Sequence, residues 1–302
     1  MNLLPPKKTM RDWPLLQRII YEFIKLLLPR FMRFFFRFEV NEIHFANKFP
    51  EGTPVIFCSN HRSHLDALIF ASALVHPFGK RTTCGFIASG KAMQSNPFFG
   101  LVKYLGAIPV YSDNPNPALD YAFKLLQENY AVFLAPQGKR IPSNPLHDYH
   151  NLLSQGKTGI GRLVLRFNGK IPVVPMYIHG SHEALRRGKI LPKFRAFISV
   201  TFCKPLLFTQ FTRKEGWDIS TPEFYSAARE IVDIIMTSIR EQMLVQEELF
   251  IKILERKFRN SVDKIQIPPK SKPKVDKILF KLLEFHYEDL KNYLEKFPKT
   301  NS

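Results

Sequence analysis

Six short apolar runs between residues 53 and 205, each bounded by proline, glycine or polar residues, constrain this chain more than any other feature. They are PVIFCS, TTCGFIA, AIPVY, YAVFLA, IPVVPMYI and AFISVTF, and their β-branched and aromatic content reads as buried strands. Between them DALIFASALV and NPALDYAFKLLQE read as helices. Strands separated by crossover helices imply an α/β fold: a mainly parallel central sheet flanked by helices. The chain of 302 residues then divides into a central domain over residues 40–210, an N-terminal segment over 1–39 and a C-terminal extension over 211–302.

The flanking segments have their own signatures. Residues 12–39 read as an amphipathic two-helix motif broken near Leu28-Pro29, because proline disfavours helix in the residue before it and removes a backbone donor. Arg18, Glu22 and Lys25 share a stripe of the first helix, and Arg30, Arg33 and Arg37 share one of the second. Opposite the second stripe stand Met32, Phe34, Phe35, Phe36 and Phe38, so the pair has the make-up of helices that lie in a membrane interface. Packing of the pair on its own domain is the alternative. Charged residues and Pro29 interrupt the segment before it reaches the ~18–20 apolar residues of a membrane span. No signal peptide is expected either. Residues 221–260 begin with Thr-Pro-Glu and read as one or two long helices, followed by a Pro/Lys linker near residues 266–275 and a last amphipathic helix, KILFKLLEFHYEDLKNYLEKF.

The net charge of +18 predicts an anionic partner: nucleic acid, a membrane surface or a phosphate-bearing substrate. No recognition motif with interleaved aromatics accompanies the charge, so no nucleic-acid partner is expected. The three cysteines, Cys58, Cys84 and Cys203, fit neither a disulfide framework nor a CxxC zinc pattern and suit a reducing environment.

The densest chemistry lies at a strand-to-helix boundary, in NHRSHLD, residues 60–66. A metal site of the HxHxDH type needs histidines where Arg62 and Ala67 stand, so neither metal nor cofactor is expected. A nucleophile elbow needs glycines where His61 and Leu65 stand. Ser63 and Asp66 instead match a helix capping box, Ser63 as N-cap and Asp66 at the third helical position. If the chain turns at residues 61–63, the His61 imidazole folds back onto the Asp66 carboxylate and forms a general base with its orienting acid. Such a base needs no protein nucleophile when the substrate brings its own hydroxyl. His64 reads as structural or as a substrate-side polar group, and His147, His150, His179 and His182 read as loop residues without a partner.

Asn60 followed by His61-x4-Asp66 resembles the NHxxxxD block of the glycerolipid acyltransferases, the 1-acylglycerol-3-phosphate acyltransferases and their relatives. Further blocks follow in the family's order. KAMQSNPFFGLVKYLGAIPVY (Lys91 to Tyr111) resembles the second, APQGKR (Ala135 to Arg140) occupies the place of the third, and Val173-Val174-Pro175-Met176 resembles the fourth. The resemblance implies acyl transfer from acyl-CoA or acyl carrier protein to the hydroxyl of a lysophospholipid, with His61 as base and Asp66 as its partner. It implies further that basic residues of the second and third blocks hold the acceptor's phosphate, here Arg140 with Lys139 beside it and, as further candidates, Lys91, Lys103 or Lys157, with Gln137 at the same site and Gly138 letting backbone N–H groups approach an anion. A membrane-associated enzyme at the cytoplasmic face is the expectation.

Two positions depart from the family's pattern. Gln137 stands where the third block has glutamate, and Ser112 stands where the second has arginine. An uncharged amide keeps hydrogen bonding and loses the carboxylate. These departures also fit a non-catalytic lipid-binding relative, or an acceptor without phosphate.

Overall fold

The computed structural model describes residues 15–75, 84–95, 106–140, 156–185 and 191–264. Its seven strands are β1 (Arg37–Asn41), β2 (Val55–Ser59), β3 (Cys84–Ser89), β4 (Ala107–Val110), β5 (Ala131–Leu134), β6 (Val173–His179) and β7 (Phe197–Phe202). They form one sheet in the order β1-β7-β6-β2-β5-β3-β4, parallel throughout except for the antiparallel pair β6–β7. All six apolar runs of the sequence are strands.

Alternation along the strands divides the core into two halves. On β2, Ile56 and Cys58 point to one face and Val55 and Phe57 to the other. The first face is covered by α5 (Asn116–Gln127), α6 (Gly159–Arg166) and the start of α8 (Pro222–Lys264); the second is covered by α1 (Leu15–Phe35) and α3 (Asp66–Leu74). Short helices α2 (His44–Asn47), α4 (Gly90–Ser95) and α7 (Ser181–Ala184) follow β1, β3 and β6. On α3, Phe70 stacks on Phe133 of β5 with ring centroids 4.1 Å apart, and Ile69, Ala73 and Leu74 are buried beside it. Burying each of the larger side chains contributes roughly 1.5–3 kcal/mol before entropy, which anchors the helix whose first residue is Asp66.

The N-terminal segment departs from expectation. One continuous helix runs through Pro29 in place of two, and residues 37–41 form a strand. An interior proline costs about 3 kcal/mol. Here burial of Pro29, Met32 and Phe36 against the sheet offsets that cost, and next to the proline the Arg30 guanidinium donates to the Leu26 carbonyl (Nη1 to O, 2.6 Å). The strand is explained by its partner: Arg37 to Asn41 pair in parallel with Phe197 to Thr201, burying Phe38 while Arg37 and Glu39 face outward.

The core is not confined to residues 40–210. Met32, Phe36 and Phe38 belong to one half of it. Phe224, Ala228, Ile231, Val232, Ile235, Met236, Ile239 and Met243 of α8 belong to the other. The Thr-Pro-Glu signal does start that helix, with Pro222 at its first position and the Phe224 N–H donating to Thr221 Oγ1 at 3.3 Å. The approach of α6 to α8 is close enough that a β-carbon on Gly161 would meet the Ala228 carbonyl oxygen at 2.1 Å, so no larger residue fits there. The expected linker and last helix lie outside the described residues. Among the described residues, no helix is long and apolar enough to cross a membrane.

Candidate active site

The site begins where β2 ends. Ser59 still pairs with β6, but Asn60 leaves the strand and extends the ladder with its side chain: Nδ2 donates to the Ile178 carbonyl at 2.9 Å, and Oδ1 accepts the Ile178 N–H at 2.8 Å. An amide side chain has one donor and one acceptor edge, as a peptide has, so Asn60 replaces a backbone rung while the chain itself turns out of the sheet. The turn releases His61 towards the carboxyl end of the strands, where open α/β sheets carry their ligands.

The imidazole then folds back. His61 Nδ1 lies 2.8 Å from Asp66 Oδ2. The same oxygen accepts the backbone N–H of Arg62 at 2.8 Å and of Ser63 at 2.9 Å, so one carboxylate oxygen gathers three donors. The bond to Ser63 is the acidic half of the expected capping box; the hydroxyl half is Ser63 Oγ accepting the Leu65 N–H at 3.3 Å. Regular helix starts only at Asp66. Ser63 Oγ also donates to the Leu185 carbonyl at 3.4 Å, so this buried hydroxyl is structural. With Nδ1 bound to the carboxylate, Nδ1 carries the proton and Nε2 is left as a basic nitrogen. The His61 side chain is 29% exposed and that of Asp66 3%.

The third block reaches this turn from the neighbouring strand. After β5, Ala135 to Arg140 form a turn in which Gly138 has φ +65°, and the buried Gln137 Oε1 accepts the His61 N–H at 2.8 Å. Gln137, expected on the substrate side, is therefore committed to the backbone of the histidine loop. Lys139 is exposed and Arg140 half-buried beside the dyad's loop, where the Arg140 charge acts on His64. Lys157 joins them: its N–H donates to Pro136 O at 2.7 Å, and its side chain lies where a β-carbon on Gly138 would be. Lys91 opens α4 at the end of β3 and makes no hydrogen bond or ion pair with the described residues. Ser112 is exposed past β4, at the sheet edge.

Two other histidine expectations need revision. His179 is not in a loop; it ends β6, buried next to Tyr177 and Phe197. His182 lies in α7. His147 and His150, with Pro97-Phe98-Phe99-Gly100 of the second block and Lys103, lie outside the described residues. The scaffold roles of Asn60, named only as part of its block, and of Gln137 were missed by sequence reasoning. A polar amide directly after an apolar strand was the available signal for the first; nothing local pointed to the second.

His64 is held down to about 4, first by burial and then by the positive charge of Arg140 and His61, with Asp66 acting the opposite way. Its imidazole is therefore neutral at pH 7. An unfolded chain takes up a proton at this position near pH 6.5, whereas the folded one does so only near 4, so stability drains as pH falls through that window. Chemical denaturation at pH 7 and pH 5 is expected to show a smaller loss for His64→Gln than for the parent, by on the order of 1 kcal/mol after solvent screening.

Residues 40–179 match the family model described as Acyltransferase. Nine chains of solved structures match the chain, among them the 1-acyl-sn-glycerophosphate (LPA) acyltransferase PlsC from Thermotoga maritima, at 18% identity, with a TM-score of 0.52, over 78% of this chain and 84% of that one. No curated protein shows a significant match. The matched segment runs from the end of β1 to the end of β6 and contains Asn60, the His61–Asp66 dyad and the Gln137 turn, and the structural likeness shows that the chain shares the fold of that acyltransferase.

Proposed function

We propose that this protein is an acyltransferase that moves a fatty acyl group from the thioester of acyl-CoA or acyl carrier protein to the hydroxyl of a lysophospholipid such as 1-acylglycerol-3-phosphate. The observation that carries the proposal is the 2.8 Å contact of His61 Nδ1 with a carboxylate oxygen that is itself fixed by two backbone N–H groups. His61 Nε2 takes the proton of the acceptor hydroxyl as its oxygen attacks the thioester carbonyl. The tetrahedral adduct collapses with cleavage of the C–S bond, and the departing thiolate receives the proton from Nε2. Asp66 stabilises the imidazolium between the two transfers. Arg140 and Lys139 supply positive charge for the acceptor's phosphate, in the part that arginine at position 112 would otherwise share. The departure at position 137 leaves the dyad intact, because an amide oxygen accepts the His61 N–H as a carboxylate would. Assay of lysolipid acceptors against both donors tests the reaction, and absence of turnover across that panel overturns it.

The enzyme is proposed to work on a membrane at the cytoplasmic face, as a peripheral or monotopic protein. Leu15, Ile19, Phe23, Leu26, Leu27, Phe31 and Phe34 are 43–72% exposed and fall along one side of α1. Phe194, also exposed, meets Phe34 with ring centroids 6.2 Å apart and widens the patch. Arg30 and Arg33 are exposed on the same helix, which suits anionic headgroups. Deleting residues 1–39 would remove core residues along with this surface, so substitution is the cleaner test. The triple variant Ile19→Ser, Phe23→Ser, Phe34→Ser is expected to lose more than about 10-fold in binding to anionic liposomes by sedimentation, given ~0.8 kcal/mol per buried methylene. Undiminished sedimentation would sink the interfacial reading.

A further inference from the structure

We propose that Gln137 is a positioning residue for the reaction, holding the peptide of His61 through Oε1 while keeping that position uncharged. The proposal rests on the acyl-transfer reading of the dyad. β2 and β5 are neighbours in the sheet, paired from Val55↔Ala131 to Cys58↔Leu134, so the chains leaving their carboxyl ends emerge side by side. Gln137 lies three residues past β5 and His61 two residues past β2. The side chain bridges that short gap, buried, and accepts the His61 N–H at 2.8 Å.

That N–H has no ladder of its own. Asn60 has already replaced the last rung towards β6, and Asp66 Oδ2 serves the amides of Arg62 and Ser63 but not of His61. The histidine loop is thus held at three successive points by three side chains from different elements: Asn60 on β6, Gln137 on the His61 amide, and Asp66 on the next two amides and the ring. The ring torsion of His61 follows from its own backbone, so release of the middle point moves Nε2 with respect to the acceptor without touching the His61–Asp66 contact. A partly buried N–H without a partner also costs stability, which is why the position needs an acceptor.

The position needs no charge. A carboxylate here would lie against the loop that carries the proton during turnover and would favour the protonated imidazole. A neutral amide gives the acceptor atom without that bias. The two halves of the proposal, acceptor and neutrality, separate in two variants.

Gln137→Leu keeps the bulk and removes the acceptor. It is expected to lower kcat about 10–100-fold with KM for the acceptor changed less than about 2-fold, the pattern of a misaligned base. Gln137→Glu keeps an acceptor and adds the charge. It is expected to hold its plateau kcat within about 3-fold while the acid limb of the rate profile moves to higher pH by roughly half a unit. Hydrogen exchange of a peptide spanning residues 60–64 gives a readout independent of turnover, and Gln137→Leu should speed exchange of the His61 amide about 10-fold or more. Full kcat in Gln137→Leu, equal loss in both variants, or an unmoved acid limb in Gln137→Glu would each overturn the proposal. If the parent protein shows no acyl transfer while the exchange effect is present, the acyl-transfer reading fails and the clamp on His61 stands.

Discussion

Replacing His61 by alanine is expected to lower kcat for acyl transfer by about 10²–10⁴-fold, the range over which a positioned general base acts. The substitution is informative because the ring contributes little else. It is 29% exposed and its recorded hydrogen bond is the one to Asp66, so the loss to stability should stay near 1 kcal/mol. KM for both substrates should change little, since the base acts on a proton that moves only as the carbon–oxygen bond forms. The measurement is steady-state formation of the acylated lipid from each donor, beside thermal unfolding of the same sample. A variant retaining its rate within about 3-fold would remove His61 from the role of base, and with Ser63 committed to Leu65 and Leu185, no hydroxyl in this turn could replace it. A variant that loses activity and unfolds would leave the chemistry to His61→Gln, which preserves a polar side chain.

The readability of this chain followed burial. Strands such as Val55–Ser59 are buried at every residue, and a strand covered on both faces has to be apolar throughout, so its run stands out against polar bounds. Residues 37–41 hide at the end of a longer aromatic and basic stretch, and their reason for being a strand lies at residues 197–201. Proline at 29 was a sound signal for a break and failed because packing of Pro29, Met32 and Phe36 against the sheet offsets what the ring removes. The dyad was legible because its partners lie five residues apart within one turn. Gln137 was not, because its partner is 76 residues away and the contact exists only once β2 and β5 lie side by side. Seen only as a departure from a block pattern, the glutamine looked like a loss; as an acceptor for one N–H it fulfils the structural part of what a glutamate could do there.

Asp66→Asn should separate charge from scaffold at this site. Oδ2 receives His61, Arg62 and Ser63, while Oδ1 is buried without a hydrogen-bond partner among the described residues. An asparagine can therefore set its carbonyl oxygen in the place of Oδ2, keep all three donors, and turn its amide to the side where nothing is displaced. Fold and loop geometry should survive, with stability lowered by about 1–3 kcal/mol for hydrogen bonds that lose their charge assistance and for a buried amide group. Catalysis should not survive in proportion, because a neutral partner does not stabilise the imidazolium formed between the two proton transfers. A fall in kcat of about 10²–10⁴-fold with KM within a few-fold is the expected result, measured beside hydrogen exchange of the 60–64 segment. Asp66→Ala gives the contrast. It strands three donors in a buried turn, so it should destabilise by several kcal/mol and loosen the loop as well as the ring. If Asp66→Asn keeps its rate while Asp66→Ala loses it, the carboxylate is a helix cap and loop anchor alone, and the charge that His61 needs comes from elsewhere.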